Sequence, residues 1–260
     1  MTALHRLGQK VFGCVLVCLS CLTPFFAGAA ELPPIRVVTS EFPPYNFTYN
    51  GNLIGVSVDV VRALLAEAGM GNAPIESIPW ARAYQMAKTG PNVLIFSITR
   101  TPERESLFKW VGTIAPVDYS FFAHKKSGLK LARAEDARQL RVATTNGDVV
   151  DQLFNRLDFP FVQSVGGQGA YEQNIRKLLA GRVDVWGVAT LPAVHFLRSA
   201  DRQGEVVRIG AIRELESEGM YVAFGSMTDD AVVSRFRSAL ERVKQRGVHR
   251  QALQRFLSTP

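Results

Sequence analysis

Apolar positions along this chain switch repeatedly between a period of two and a period near 3.6. Residues 35–39 form a β-rich run, followed by a Pro43-Pro44 turn and a predicted hairpin tip at Asn50-Gly51. Val58, Val61, Leu64, Leu65 and Ala68 then fall on one helical face, with Ser57 as the predicted N-cap and Gly69 at the end. Residues 75–78 predict a short strand, 80–88 a helix and 93–98 a buried strand. This β-α-β-α-β order predicts a parallel sheet flanked by helices.

The pattern restarts after the polar stretch at 125–137. Strands are predicted at 140–144, 161–165 and 183–188, and helices at 147–157, 170–180 and 191–200. Residues 117–123 and 219–224 read as extended segments that cross between two such units. The C-terminal helices are predicted at 229–246, with Thr228 as N-cap, and at 248–257, restarted after Gly247. The expectation is an α/β chain with two lobes, each with its own sheet, joined by two crossing segments. Lobe 1 would comprise 31–116 and 219–260, and lobe 2 would comprise 117–218.

Composition changes the picture mainly at the start of the chain of 260 residues. Arg6 and Lys10 precede an apolar run at 11–26 and a small-residue site at Ala27-Gly28-Ala29, the layout of a secretory signal peptide covering 1–30. All three cysteines, Cys14, Cys18 and Cys21, lie inside it, so the mature chain would have no disulfide. A lipoprotein signal competes with this reading, although Cys18-Leu19-Ser20 before Cys21 fits it poorly. The formal charge of +7 loses two units with Arg6 and Lys10, and the rest is spread along the chain, which does not indicate nucleic-acid binding.

The most chemically informative stretch is 94–112. An apolar strand runs into Ser97, Thr99 and Thr101, and Pro102 opens a short turn carrying Arg104. Hydroxyls and free backbone N–H groups at a strand end, with a guanidinium one turn later, suit a carboxylate, which the planar fork of Arg grips. Arg82, at the start of a helix, is either a second cation in the cleft or a solvated residue, and both readings stand. Arg100 should alternate away from the site, and Asp59 reads as a scaffold carboxylate. His124, His195 and His249 have no partners at metal-ligand spacing, no catalytic motif is present, and no cofactor or metal is expected.

The chain resembles the bacterial extracellular solute-binding proteins of family 3, the type II periplasmic binding fold of polar amino-acid uptake systems. The resemblance is carried by Glu41-Phe42-Pro43-Pro44-Tyr45-Asn46-Phe47, by Gly55 to Val61, by Ser97 to Arg104 and by Gly181-Arg182-Val183-Asp184-Val185. It implies that Thr99, Thr101 and Arg104 bind the ligand's α-carboxylate and that backbone around Ser97 binds its amino group. It further implies an aromatic sandwich from Phe42 and Trp80, with the loop Thr145-Asn146-Gly147-Asp148 offering free N–H groups at a helix start. One departure matters: where the family usually places an Asp against the ligand's ammonium, this chain has Ala189, so Glu41 or Asp148 would have to replace it. The resemblance implies a monomeric periplasmic protein that closes over a small carboxylate and delivers it to the permease of an ABC-type importer. A ligand-sensing domain for a membrane receptor and an exported dehydratase-like enzyme on the same fold are the alternatives it leaves open.

Overall fold

The computed structural model describes residues 32–167, 169–215 and 218–257, so the predicted signal segment lies outside them. Strand β1 (Arg36–Thr39) leads to a hairpin of β2 (Phe47–Tyr49) and β3 (Asn52–Ile54), turned as predicted at Asn50 and Gly51, both at positive φ. Helix α1 (Val56–Glu67) follows, then β4 (Ile75–Ser77), α2 (Trp80–Thr89) and the wholly buried β5 (Val93–Thr99). A short 3-10 turn, Pro102–Arg104, precedes β6 (Phe108–Ala115). The chain then crosses to β7 (Tyr119–His124), β8 (Val142–Thr145), α3 (Val149–Arg156), β9 (Val162–Val165), α4 (Ala170–Leu179), β10 (Val185–Ala189), α5 (Thr190–Ser199) and β11 (Val206–Ala211). It returns as β12 (Met220–Gly225) and ends in α6 (Asp230–Gln245) and α7 (Val248–Leu257).

Two five-stranded sheets result, ordered β4-β1-β5-β12-β6 and β11-β7-β10-β8-β9. In each, three strands run parallel: β4, β1 and β5 in the first, β9, β8 and β10 in the second. A strand from a crossing is antiparallel to both its neighbours, β12 between β5 and β6, β7 between β10 and β11. The predicted parallel sheet is therefore corrected to a mixed one. The pattern of 31–98 gave the parallel part; the antiparallel insert comes from residues more than a hundred positions later.

Two predicted caps are also corrected. Helix α1 begins two residues early, at Val56, capped by Gly55 at φ 134, and the Ser57 hydroxyl is buried without a partner. Glycine is required there, because a Cβ would sit 2.2 Å from the Tyr45 carbonyl oxygen. At α6 the cap is Asp229, whose carboxylate accepts from the Ala231 N–H at 2.7 Å. Thr228 turns the other way, and its hydroxyl accepts from the Asn92 N–H at 3.0 Å, just before β5. Its place beside the helix start was right, its partner was not.

The core divides between the sheets. Val38, Ile95, Ala83, Ala87, Trp110 and Ala223 pack α2 on one face of the first, while Trp186, Ile175, Leu178, Ala193 and Leu197 pack α4 and α5 on the second. Helix α6 lays Val232, Val233, Phe236, Leu240 and Val243 inward, as their period predicts. Two strands went unread in the sequence. β6 interrupts its apolar run with Lys109, Gly112 and Thr113, and β11 is an edge strand with an irregular register at Arg208 and Gly210.

Candidate functional site

In open α/β sheets, ligands sit beyond the carboxyl ends of parallel strands, where loops carry side chains that the sheet itself does not consume. Here the carboxyl ends of both sheets' parallel strands converge on one cleft. β1 delivers Ser40, Glu41 and Phe42; β4 delivers Pro79 and Trp80; β5 delivers Ser97, Thr99 and, through the 3-10 turn, Arg104. From the second sheet β8 delivers Thr145 and Asp148, the loop after β9 leads to Ala170 and Tyr171, and β10 ends in Ala189. The crossing strands add their first residues, Tyr119 and Met220. The cleft holds about 690 Å³ of empty space, its opening included.

Arg104 dominates its electrostatics. The side chain is 1% exposed, and its Nη1 donates to the Thr99 carbonyl at 3.0 Å and its Nε to Gln152 Oε1 at 3.1 Å. The guanidinium lies over the rings of Trp80 and Tyr84, at 5.6 and 5.1 Å from their centres. Nη2 is buried with no partner. Burial pulls the Arg104 pKa down, but guanidinium remains charged at any working pH. A buried, charged donor with one unfilled position is costly unless an acceptor arrives.

Around it, Thr99 shares its hydroxyl with the Tyr119 hydroxyl, and Ser97, at φ 59, donates to the buried Asn46 side-chain oxygen. Positive φ at a non-glycine residue coincides with the irregular register between β5 and β12, so backbone geometry at Ser97 departs from the ladder. Phe42 stacks on Tyr45 at 5.2 Å and meets Tyr171 edge-on at 6.5 Å. Trp80 reaches across the cleft, its Nε1 donating to the Gly147 carbonyl at 2.9 Å. Glu41 accepts from the Thr48 N–H at 2.8 Å, the Thr48 hydroxyl at 2.7 Å and the Ser77 hydroxyl at 2.8 Å.

Asp148 caps α3, accepting from the Asp151 N–H at 2.8 Å. Burial pushes its carboxyl up to about 7, only partly offset by the helix N–H groups and by Arg104. The expected free N–H groups of this loop are already used: Asn146 donates to Val165, Gly147 to the buried Asp151 carboxylate, and Asp148 to Thr145. The Thr145 hydroxyl, in contrast, is buried without a partner.

Of the candidates from sequence, Arg104, Thr99, Ser97, Phe42, Trp80, Glu41, Asp148 and Ala189 line the cleft. Thr101 instead lines a second cavity with Glu103, Gln152 and Arg156, because the turn at Pro102 rotates it away. Asn146 and Gly147 do not line the cleft, although the Gly147 carbonyl accepts from the lining Trp80. Arg82 is exposed on α2, beside the buried Ala83, and does not line the cleft, which fits the solvated one of its two readings. Arg100 turns away as expected and holds Glu105 through two contacts of 2.8 and 2.6 Å. Sequence reasoning missed Tyr119 and Tyr171. Tyr119 opens a crossing strand and Tyr171 the second position of α4, and a tyrosine in an apolar run looks the same whether it faces core or cleft.

Two mixed sheets with paired crossings, and a cleft at their strand ends, define the fold of two-lobed periplasmic binding proteins. The bacterial extracellular solute-binding proteins of family 3 match residues 35–259, and the chain belongs to that family. No curated protein sequence matches it. Among solved structures, a mutant of ArgBP from T. maritima is similar with TM-score 0.74 and 21% identity, over 86% of this chain and 95% of that one. A histidine kinase sensor domain with similarity to periplasmic binding proteins follows at 0.73 and 20%, over 86% and 96%. An amino acid ABC transporter substrate-binding protein from Streptococcus pneumoniae, bound to L-arginine, gives 0.69 and 19%, over 86% and 93%.

Proposed function

We propose that the protein captures a small carboxylate-bearing solute between two closing lobes in the periplasm and delivers it to an ABC-type importer. One observation carries this: the buried Arg104 guanidinium, aimed into an aromatic-walled cleft with Nη2 unfilled. A carboxylate oxygen satisfies that donor, and the unpartnered Thr145 hydroxyl lines the same cleft from the other sheet. In this reading residues 31–116 and 219–260 form one lobe and 117–218 the other, and residues 1–30 are the cleaved export signal. Ligand touches both lobes together only when they are shut, so binding draws the population toward the shut form. The protein acts as a monomer and without a cofactor.

Arg104→Lys keeps the charge and loses the planar fork. Because a charge-assisted hydrogen bond contributes about 1.5–3 kcal/mol, affinity for the solute released from freshly purified protein and identified by mass spectrometry should fall roughly tenfold to a hundredfold. Unchanged affinity in calorimetry overturns the reading. The sensor-domain neighbour supports a second one, in which the loaded protein signals to a membrane receptor instead. Neighbouring permease and ATPase genes favour uptake; a neighbouring sensor kinase favours signalling.

A further inference from the structure

The cleft's charge inventory narrows the solute further, on the premise that the proposed function above is right. Among the described residues, three charged side chains line it: Arg104, Glu41 and Asp148. Glu41 is already committed to three donors, two on Thr48 and one on Ser77. Asp148 is committed to the start of α3, where it accepts from the Asp151 N–H at 2.8 Å, and burial pushes its carboxyl up to about 7. The remaining described wall on the second-sheet side is Tyr119, Thr145, Gly167, Ala170, Tyr171 and Ala189, with Val149 at the helix start. Ala189 is 2% exposed and ends β10 with a methyl group.

An ammonium group carried out of water into such a wall is best matched by an ionised carboxylate within ion-pair reach, because neutral carbonyls, hydroxyls and aromatic faces attract it without cancelling its charge. The anion side is the opposite: Arg104 Nη2 and the Thr145 hydroxyl are both buried and both unfilled. Among the described residues, the cleft thus offers an acid two unfilled partners, while each of its two carboxylates already holds donors from the protein itself. We propose that the solute is a carboxylate with an apolar or aromatic body and no α-ammonium group, the class of 2-oxo, 2-hydroxy and aryl carboxylic acids. Its carboxylate sits on Arg104, and its 2-position or ring lies against Ala189 between Phe42, Tyr119 and Tyr171.

Matched pairs test this by calorimetry on the mature chain: phenylpyruvate, phenyllactate and hydrocinnamate against phenylalanine, and 2-oxoisocaproate and 2-hydroxyisocaproate against leucine. In each pair that binds, the deaminated acid is expected to bind at least tenfold tighter, and Ala189→Asp to reverse the order. An amino acid binding tighter than its deaminated partner to the unaltered protein overturns the inference while leaving the carboxylate reading intact. That preference collapsing in Glu41→Gln would place the ammonium on Glu41. If Ala189→Asp fails to fold, the order measured on the unaltered protein decides alone. No binding by any acid in the set, together with thermal shifts indistinguishable between the unaltered protein and Arg104→Lys, overturns the carboxylate reading and this inference with it.

Discussion

Asp148 is where pH enters this molecule. It faces Asp151 on its own helix, Arg104 across the cleft, Tyr119 on β7 and Tyr171 on α4, and the like charge of Asp151 adds to the burial that raises its pKa to about 7. An unfolded aspartate loses its proton near its ordinary value of about 3.9, so between there and about 7 the folded chain holds a proton that the unfolded chain has released. Stability contributed at this site is therefore complete at low pH and lost as pH rises through that window, by up to about 1.4 kcal/mol per pH unit. Urea midpoints at pH 5 and 7.5 should fall with pH in the native chain, and the fall should shrink in Asp148→Asn. A carboxylate ligand should likewise bind more weakly at pH 8 than at pH 6, since the ionised Asp148 shares the cleft with it.

At the scale of elements, the two crossings lean on one another. A Cβ at Gly219 would lie 2.3 Å from the Ala115 carbonyl oxygen, and its φ of 136 suits only glycine. Gly219→Ala should cost at least about 2 kcal/mol in chemical unfolding, the scale of a strained backbone position. Asp229→Ala removes the α6 cap and should cost about 1 kcal/mol by the same measurement. These elements also show what the sequence makes legible. Helix α6 and strand β5 were plain because their apolar pattern is local: one face in the first, the unbroken run from Val93 to Phe96 in the second. Ser57 was misread because the cap there is decided by how closely Tyr45 backbone approaches Gly55, a tertiary fact with no local sign. The first-sheet half of the site was readable from the end of β5. Tyr119 and Tyr171 enter it only through strand order, which residue patterns do not encode.

For the whole molecule, under the proposed closure, the contacts bridging the cleft set how readily it opens. Trp80 reaches Gly147, Arg104 reaches Gln152, Glu103 pairs with Arg156, and Phe47 packs on His195 at 5.5 Å between ring centres. Trp80→Phe keeps the ring and deletes the indole donor, so ligand-free protein should become more extended in small-angle X-ray scattering, with ligand restoring compactness. An unchanged scattering profile would mean that this hydrogen bond does not help hold the lobes together.

The placing of β12 has a consequence for synthesis and export. β12 fills the gap between β5 and β6, yet it follows the entire second sheet in the chain. Until residues 220–225 are available, the first sheet keeps two raw edges with unpaired amides, whereas β7 to β11 can assemble from consecutive residues. Pulse-labelled hydrogen exchange should find amides of β8 and β10 protected ahead of those in β5. A chain released before residue 220 should clump at those naked margins, which gives the cell a reason to hold it unfolded until translation has finished.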